Sequence, residues 1–190
     1  RNSDASFLEA QDMFRLPGIF RSVSLTAKPK VQVRDIKAIP DYDASFTDAS
    51  LAITAEVSNL SGKKQKGLQI HYSLYENTLY GDDNKLVQGV SAVAQVDAMD
   101  KTGDATAHVV LHAGKGVKPW SAEAPHRYTL VGELKDAKGR VIETFSTIVG
   151  FRKIEIRNAQ VLINGKPVLF KGADRHELDP DGGYVVSRER

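Results

Sequence analysis

Between residues 31 and 150 apolar side chains return at every second position, and that period excludes most of what the chain can fold into. "LAITAEVS" sets Leu51, Ile53, Ala55 and Val57 on one face against Ala52, Thr54, Glu56 and Ser58 on the other. "LQIHYSLY" repeats the pattern with Leu68, Ile70, Tyr72 and Leu74 against Gln69, His71, Ser73 and Tyr75. Such alternation belongs to half-buried antiparallel strands, because successive side chains of an extended chain point to opposite faces of a sheet. Further runs, "VSAVAQV", "TAHVVLH", "YTLVGEL" and "VIETFSTIV", are punctuated by "SGKKQKG", "GDDN", "DKTGD" and "DAKG", all rich in turn-forming residues. No amphipathic helix of ordinary length fits between them.

About seven strands in about 120 residues predict an all-β fold, a two-sheet antiparallel sandwich of immunoglobulin or fibronectin type. A closed barrel is the rival architecture. Tyr128, near the start of a late strand, is either the hydroxyl-bearing corner residue of such sandwiches or plain core.

A chain of 190 residues has room for one packed domain and extra segments, or for two small domains. Its 41% hydrophobic and 26% charged content is that of a globular protein. A formal net charge of +2 with interleaved signs provides no basic stripe for a phosphate backbone, so nucleic acid is not an expected partner. No run of 18 or more apolar residues offers a membrane span, and "RNSDASFLEAQ" lacks the layout of a signal peptide. Without cysteine there is neither disulfide nor thiolate chemistry, and the compartment, cytoplasmic or periplasmic, stays open.

Beyond Phe151 the texture changes. "AQVLINGKPVLF" reads as two short strands joined by Asn164-Gly165, a strong hairpin dipeptide. The following "GADRHELDPDGG" gathers Asp174, Arg175, His176, Glu177, Asp179 and Asp181 directly after an apolar run. Strand ends that deliver ionisable groups are where α/β barrels place substrate-binding residues. The plainer reading, a solvated loop whose Asp residues cap turns, is the one these residues alone favour. The Asp179, Asp181 and Gly182 spacing has oxygen ligands for calcium but not the distal bidentate Glu of an EF-hand. Trp120 in "KPWSAEAPHRYTL" is either a platform for a sugar ring or, the favoured reading, a buried wedge. His108 and His112 share a strand face without partners and are expected at the surface. Asp12, ahead of Met13 and Phe14, is a carboxylate in an apolar setting, either paired or exposed for a purpose.

Four strings, "QDMFRLPGIFRSVSL", "KPWSAEAPHRYTL", "VGFRKIEI" and "LINGKPVLFKGADRHE", in this order and at these intervals, closely resemble the middle of the large β-galactosidases of glycoside hydrolase family 2. The resemblance covers essentially the whole chain. It implies that residues 1–28 are the C-terminal end of a jelly-roll sugar-binding-like domain and 29–150 the immunoglobulin-like sandwich. Residues 151–190 would be a linker and the first hairpin and strand of a (β/α)8 barrel. Both chain ends are accordingly expected to be cut edges.

The resemblance also implies roles. Asp12 matches a carboxylate that contacts galactosyl hydroxyls and a sodium ion. His176 matches a histidine that hydrogen-bonds the galactosyl ring, and Arg175 and Glu177 match the same motif as supporting substrate-binding residues. Asp174 stands where the best-known members have Asn, and Leu178 where they have His. The implied chemistry is a retaining double displacement by two glutamates roughly 5 Å apart. In the family both lie on later barrel strands absent from this sequence, so the piece alone is expected to be inert and to need no cofactor. Sodium and magnesium are what the resemblance implies for the full-length enzyme alone. Its expected partners are a β-galactoside substrate, the jelly roll and barrel of the same chain and, for the parent, further copies in a homo-oligomer. The alternatives are a β-glucuronidase or β-mannosidase piece of the same family, or a non-catalytic carbohydrate-binding module of immunoglobulin type.

Overall fold

The computed structural model describes residues 18–19, 22–78, 84–187 and 189. The chain divides into two compact units, of which Lys28–Val168 holds every strand found among the described residues; the other takes in Leu169–Arg190 and the chain before Lys28. Seven strands form the larger part of the first unit: β1 (Val31–Tyr42), β2 (Ala49–Asn59), β3 (Gln69–Asn77), β4 (Leu86–Gln95), β5 (Gly103–Gly114), β6 (Arg127–Lys135) and β7 (Val141–Val149). Among the described residues there is no helix, and hence none long and apolar enough to cross a membrane.

The strands pair into two antiparallel sheets, β1-β2-β5 and β4-β3-β6-β7. No strand of one sheet is hydrogen-bonded into the other, so the architecture is an open sandwich and not a closed barrel. The fourth strand pairs with the third, whereas a constant-type immunoglobulin domain places it in the sheet of the first two.

The period-two faces explain the core. Leu51, Ile53, Ala55 and Val57 are buried and pack toward Leu68, Ile70, Tyr72 and Leu74 from the opposite sheet, with Leu111, Leu130 and Leu134 beside them. Gly132 of β6 faces Phe145 of β7, and a Cβ there would lie 2.3 Å from the Phe145 ring. The absence of a side chain lets Phe145 lie across β6 and meet Tyr72 edge-on, with centroids 6.2 Å apart.

A bulge at Arg34 interrupts the β1-β2 register between Val33 and Asp35. There the Val33 N–H donates to Glu143 Oε2 of β7 at 2.6 Å, while Lys28 Nζ lies 3.3 Å from Glu143 Oε1 and donates to the Val33 carbonyl at 3.0 Å. One carboxylate thereby joins the edges of the two sheets.

A small third sheet, β8 (Ile154–Arg157), β9 (Gln160–Ile163) and β10 (Lys166–Pro167), follows the sandwich. Asn164-Gly165 forms the turn between β9 and β10, with both residues at positive φ (51° and 73°), as expected for the two-residue hairpin. The strand β8 was not anticipated. Its turn, Asn158-Ala159, also has two positive φ values (51° and 58°), and alanine at such a position hides the usual Asn-Gly signature.

Candidate substrate-orienting site

The hairpin is bolted to one end of the sandwich by side chains as well as by sequence. Asn164 Oδ1 accepts the Lys153 N–H at 2.9 Å, and Asn164 Nδ2 donates to the Trp120 carbonyl at 3.1 Å. The Trp120 N–H donates to the Phe151 carbonyl at 2.8 Å, and Lys153 Nζ reaches the Tyr42 carbonyl at 3.1 Å. Trp120 is half-buried over Gly150, where a Cβ would come within 3.1 Å of it, and the Arg152 guanidinium stacks 4.4 Å from its ring centroid. This is the wedge reading of Trp120.

Tyr128 is buried, meets Phe151 edge-on at 5.5 Å, and its hydroxyl accepts the Lys118 N–H at 2.7 Å. A tyrosine at a strand start tied to backbone ten residues upstream matches the corner reading in position, with the hydroxyl serving as acceptor. Burial pushes its pKa up, partly offset by that hydrogen bond. His108 and His112 are exposed, and His108 Nδ1 pairs with Thr54 Oγ1 at 3.0 Å.

In the second unit, residues 169–178 have no regular secondary structure. Asp174, Arg175, His176 and Glu177 are all exposed, and Leu169 and Phe170 are 79% and 74% exposed. Arg175 Nε lies 3.3 Å from Glu177 Oε1, a surface pair worth about 0–1 kcal/mol. Asp179, by contrast, is buried: its Oδ1 accepts the N–H groups of Asp181 (2.8 Å) and Gly182 (2.7 Å), and its backbone bridges Gly183. Its carboxylate closes a turn, which is the capping role allowed for these Asp residues. Asp12 lies outside the described residues. The structure thus joins Arg175 to Glu177, with His176 between them in the chain, and leaves Asp12 unplaced. Among the described residues no group of three or more His, Asp or Glu side chains is arranged to hold a metal ion.

Sequence reasoning passed over Asn59, which is fully buried. Its amide donates to the carbonyls of Lys63 and Asp100, and its Oδ1 accepts from the backbone and hydroxyl of Ser61. A polar residue closing an apolar strand was the available signal, because a buried amide must be fully bonded to be tolerated.

Residues 31–152 match the family model for glycosyl hydrolases family 2, and residues 154–190 match that family's TIM barrel domain. A β-galactosidase from Pseudoalteromonas haloplanktis is 38% identical over 190 residues, spanning 98% of this chain and 17% of its own length. One from Aeromonas hydrophila is 38% identical over 187 residues, with the same shares. The chain therefore spans less than a fifth of the length of these curated relatives. Among solved structures, a β-galacturonidase from Eisenbergiella tayi bound to galacturonate superposes with a TM-score of 0.67 at 20% identity, covering 85% of this chain and 26% of its own. A family 2 glycosyl hydrolase from Bacteroides cellulosilyticus gives 0.63 at 16% identity, covering 76% and 19%. These two likenesses concern the fold. With most of its length matched by the family model and its strands arranged as in solved members, the chain belongs to glycosyl hydrolase family 2.

Proposed function

We propose that this chain is part of a β-galactosidase that hydrolyses terminal β-D-galactosides with retention, and that it contributes scaffold and substrate-orienting residues but neither catalytic glutamate. The observation that carries this reading is 38% identity, over nearly the whole chain, to proteins named β-galactosidase. The division into 1–28, 29–150 and 151–190 is part of the proposal and is supported by family-model matches that change over between residues 152 and 154.

In this reading Asp12 and His176 hydrogen-bond galactosyl hydroxyls, and Arg175 and Glu177 support them. Two features of the loop favour it. The His176 side chain stands outside its own fold, and the exposed Arg175–Glu177 pair gives up little when exchanged for a sugar hydroxyl. By resemblance Asp12 would hold a sodium ion, and magnesium would be held by the barrel of the full-length parent. The chemistry falls to two carboxylates on opposite sides of the glycosidic bond, one attacking the anomeric carbon and the other protonating the leaving oxygen.

The test is turnover of chromogenic β-galactoside, β-glucuronide and β-mannoside by the full-length parent. Galactoside turnover that falls about a hundredfold or more in Asp12→Ala and in His176→Ala is the expected result, the size of a lost transition-state hydrogen bond. Preference for the glucuronide or mannoside would overturn the substrate, and indifference to both substitutions would overturn the assigned residues. The isolated chain is expected to show no turnover at all.

A further inference from the structure

A groove of about 800 Å3 runs between the outer face of the β1-β2-β5 sheet, the end of β7 and the start of β8. Its walls hold four branched apolar side chains turned toward water: Ile39, Val110, Ile148 and Ile154, each 48–57% exposed. Gathered in one concavity and rimmed by charged groups rather than scattered singly, such side chains mark a contact surface. Two guanidinium groups line it as well. Arg152 is stacked on Trp120, and Arg127 has an Nε shut off from water without a hydrogen-bond partner. Neither is ion-paired among the described residues, whereas Lys153 on the rim is held 3.4 Å from Asp41.

We infer that this groove is the seat of a segment of the same polypeptide lying C-terminal to residue 190, which inserts an apolar side chain and presents a carboxylate to Arg127 and Arg152. The inference rests on the chain being part of a longer family 2 protein. Ile154, one wall of the groove, is the first residue matched by the barrel model, so the polypeptide that builds the barrel departs from the groove itself. Relatives extend far past this chain, which spans 17% of their length. A tethered segment competes for the groove at an effective concentration on the order of millimolar, which a separate copy or a foreign protein does not reach. The shielded, unpartnered Nε–H of Arg127, with the Arg152 guanidinium lining the same groove, selects the carboxylate, because a desolvated donor facing an apolar partner alone goes uncompensated.

Hydroxyl-radical footprinting of the 190-residue chain and of the full-length parent, at matched concentrations, tests this. The expected result is several-fold slower labelling of Ile39, Val110, Ile148 and Ile154 in the parent, unchanged on dilution. Equal labelling in the two overturns the inference, and protection that disappears on dilution overturns it in favour of a second copy. In the parent carrying Arg127→Met and Arg152→Met, labelling of Ile148 and Ile154 is expected to recover; unchanged protection overturns the carboxylate. Carbodiimide cross-linking should couple Lys153 to a carboxylate C-terminal to residue 190 as well as to the neighbouring Asp41, and coupling to Asp41 alone or to the region before residue 1 overturns the assignment of the segment. Because the readout is side-chain exposure and not turnover, a parent that hydrolyses some other sugar leaves the test intact.

Discussion

Asn164 shapes the hairpin turn with its backbone and anchors the hairpin with its amide. Its positive φ is tolerated by Asn and Gly alike, whereas its bonds to Lys153 and Trp120 need the side chain. Asn164→Gly is therefore expected to keep the turn and lose about 1–3 kcal/mol of stability, read from the urea midpoint. Asp43 illustrates a different dependence. The Ser45 hydroxyl and the N–H groups of Asp48 and Thr47 converge on its carboxylate and hold its pKa well below the ordinary Asp value. Because the ionised form is favoured in the folded turn, its contribution is complete above the unfolded value of about 3.9 and fades as pH falls below it. Asp43→Asn should accordingly narrow the difference in urea midpoint between about pH 7 and about pH 3 relative to the unsubstituted chain. At this scale the sequence was legible where chemistry is local: Asn-Gly announced a turn. It did not show that the Asn164 amide reaches the Trp120 carbonyl, 44 positions away, because nothing in local spacing encodes that meeting.

Strands were the most legible elements, since the alternation that buries Leu51 through Val57 is written directly in the order of residues. Short β8 escaped because four residues provide too little period and its turn carries Ala159 in place of glycine. The glycine of β6 was equally silent in the sequence, and the structure gives it a reason. Gly132→Ala would drive a methyl group into the Phe145 ring and is expected to cost about 1–3 kcal/mol. In a Phe145→Ala background the same substitution should cost much less, and a double-mutant cycle by chemical denaturation measures the difference. The candidate loop at residues 174–177 was legible as a cluster of ionisable groups. Its exposure is that of the solvated loop which these residues alone favour, whereas Asp179 in the same string turned inward to build a turn.

Across the whole sandwich, the bond from Val33 to Glu143 is the feature that ties one sheet edge to the other. Glu143→Ala leaves the N–H of a buried bulge residue without its acceptor, so a loss of about 1–3 kcal/mol and faster hydrogen exchange at the Val33 amide are expected. Glu143→Gln keeps an acceptor but gives up the charge facing Lys28, and should restore much of the protection. That bond also orders events in time. Its partners are 110 residues apart, and at ribosomal speed the interval between the emergence of one and of the other is on the order of ten seconds. Through that interval the nascent first strand has β2 to lie against but no acceptor for its bulge. Of the sandwich strands the one made first is thus the one finished last, and the newborn chain is expected to close its sandwich only when the seventh strand arrives.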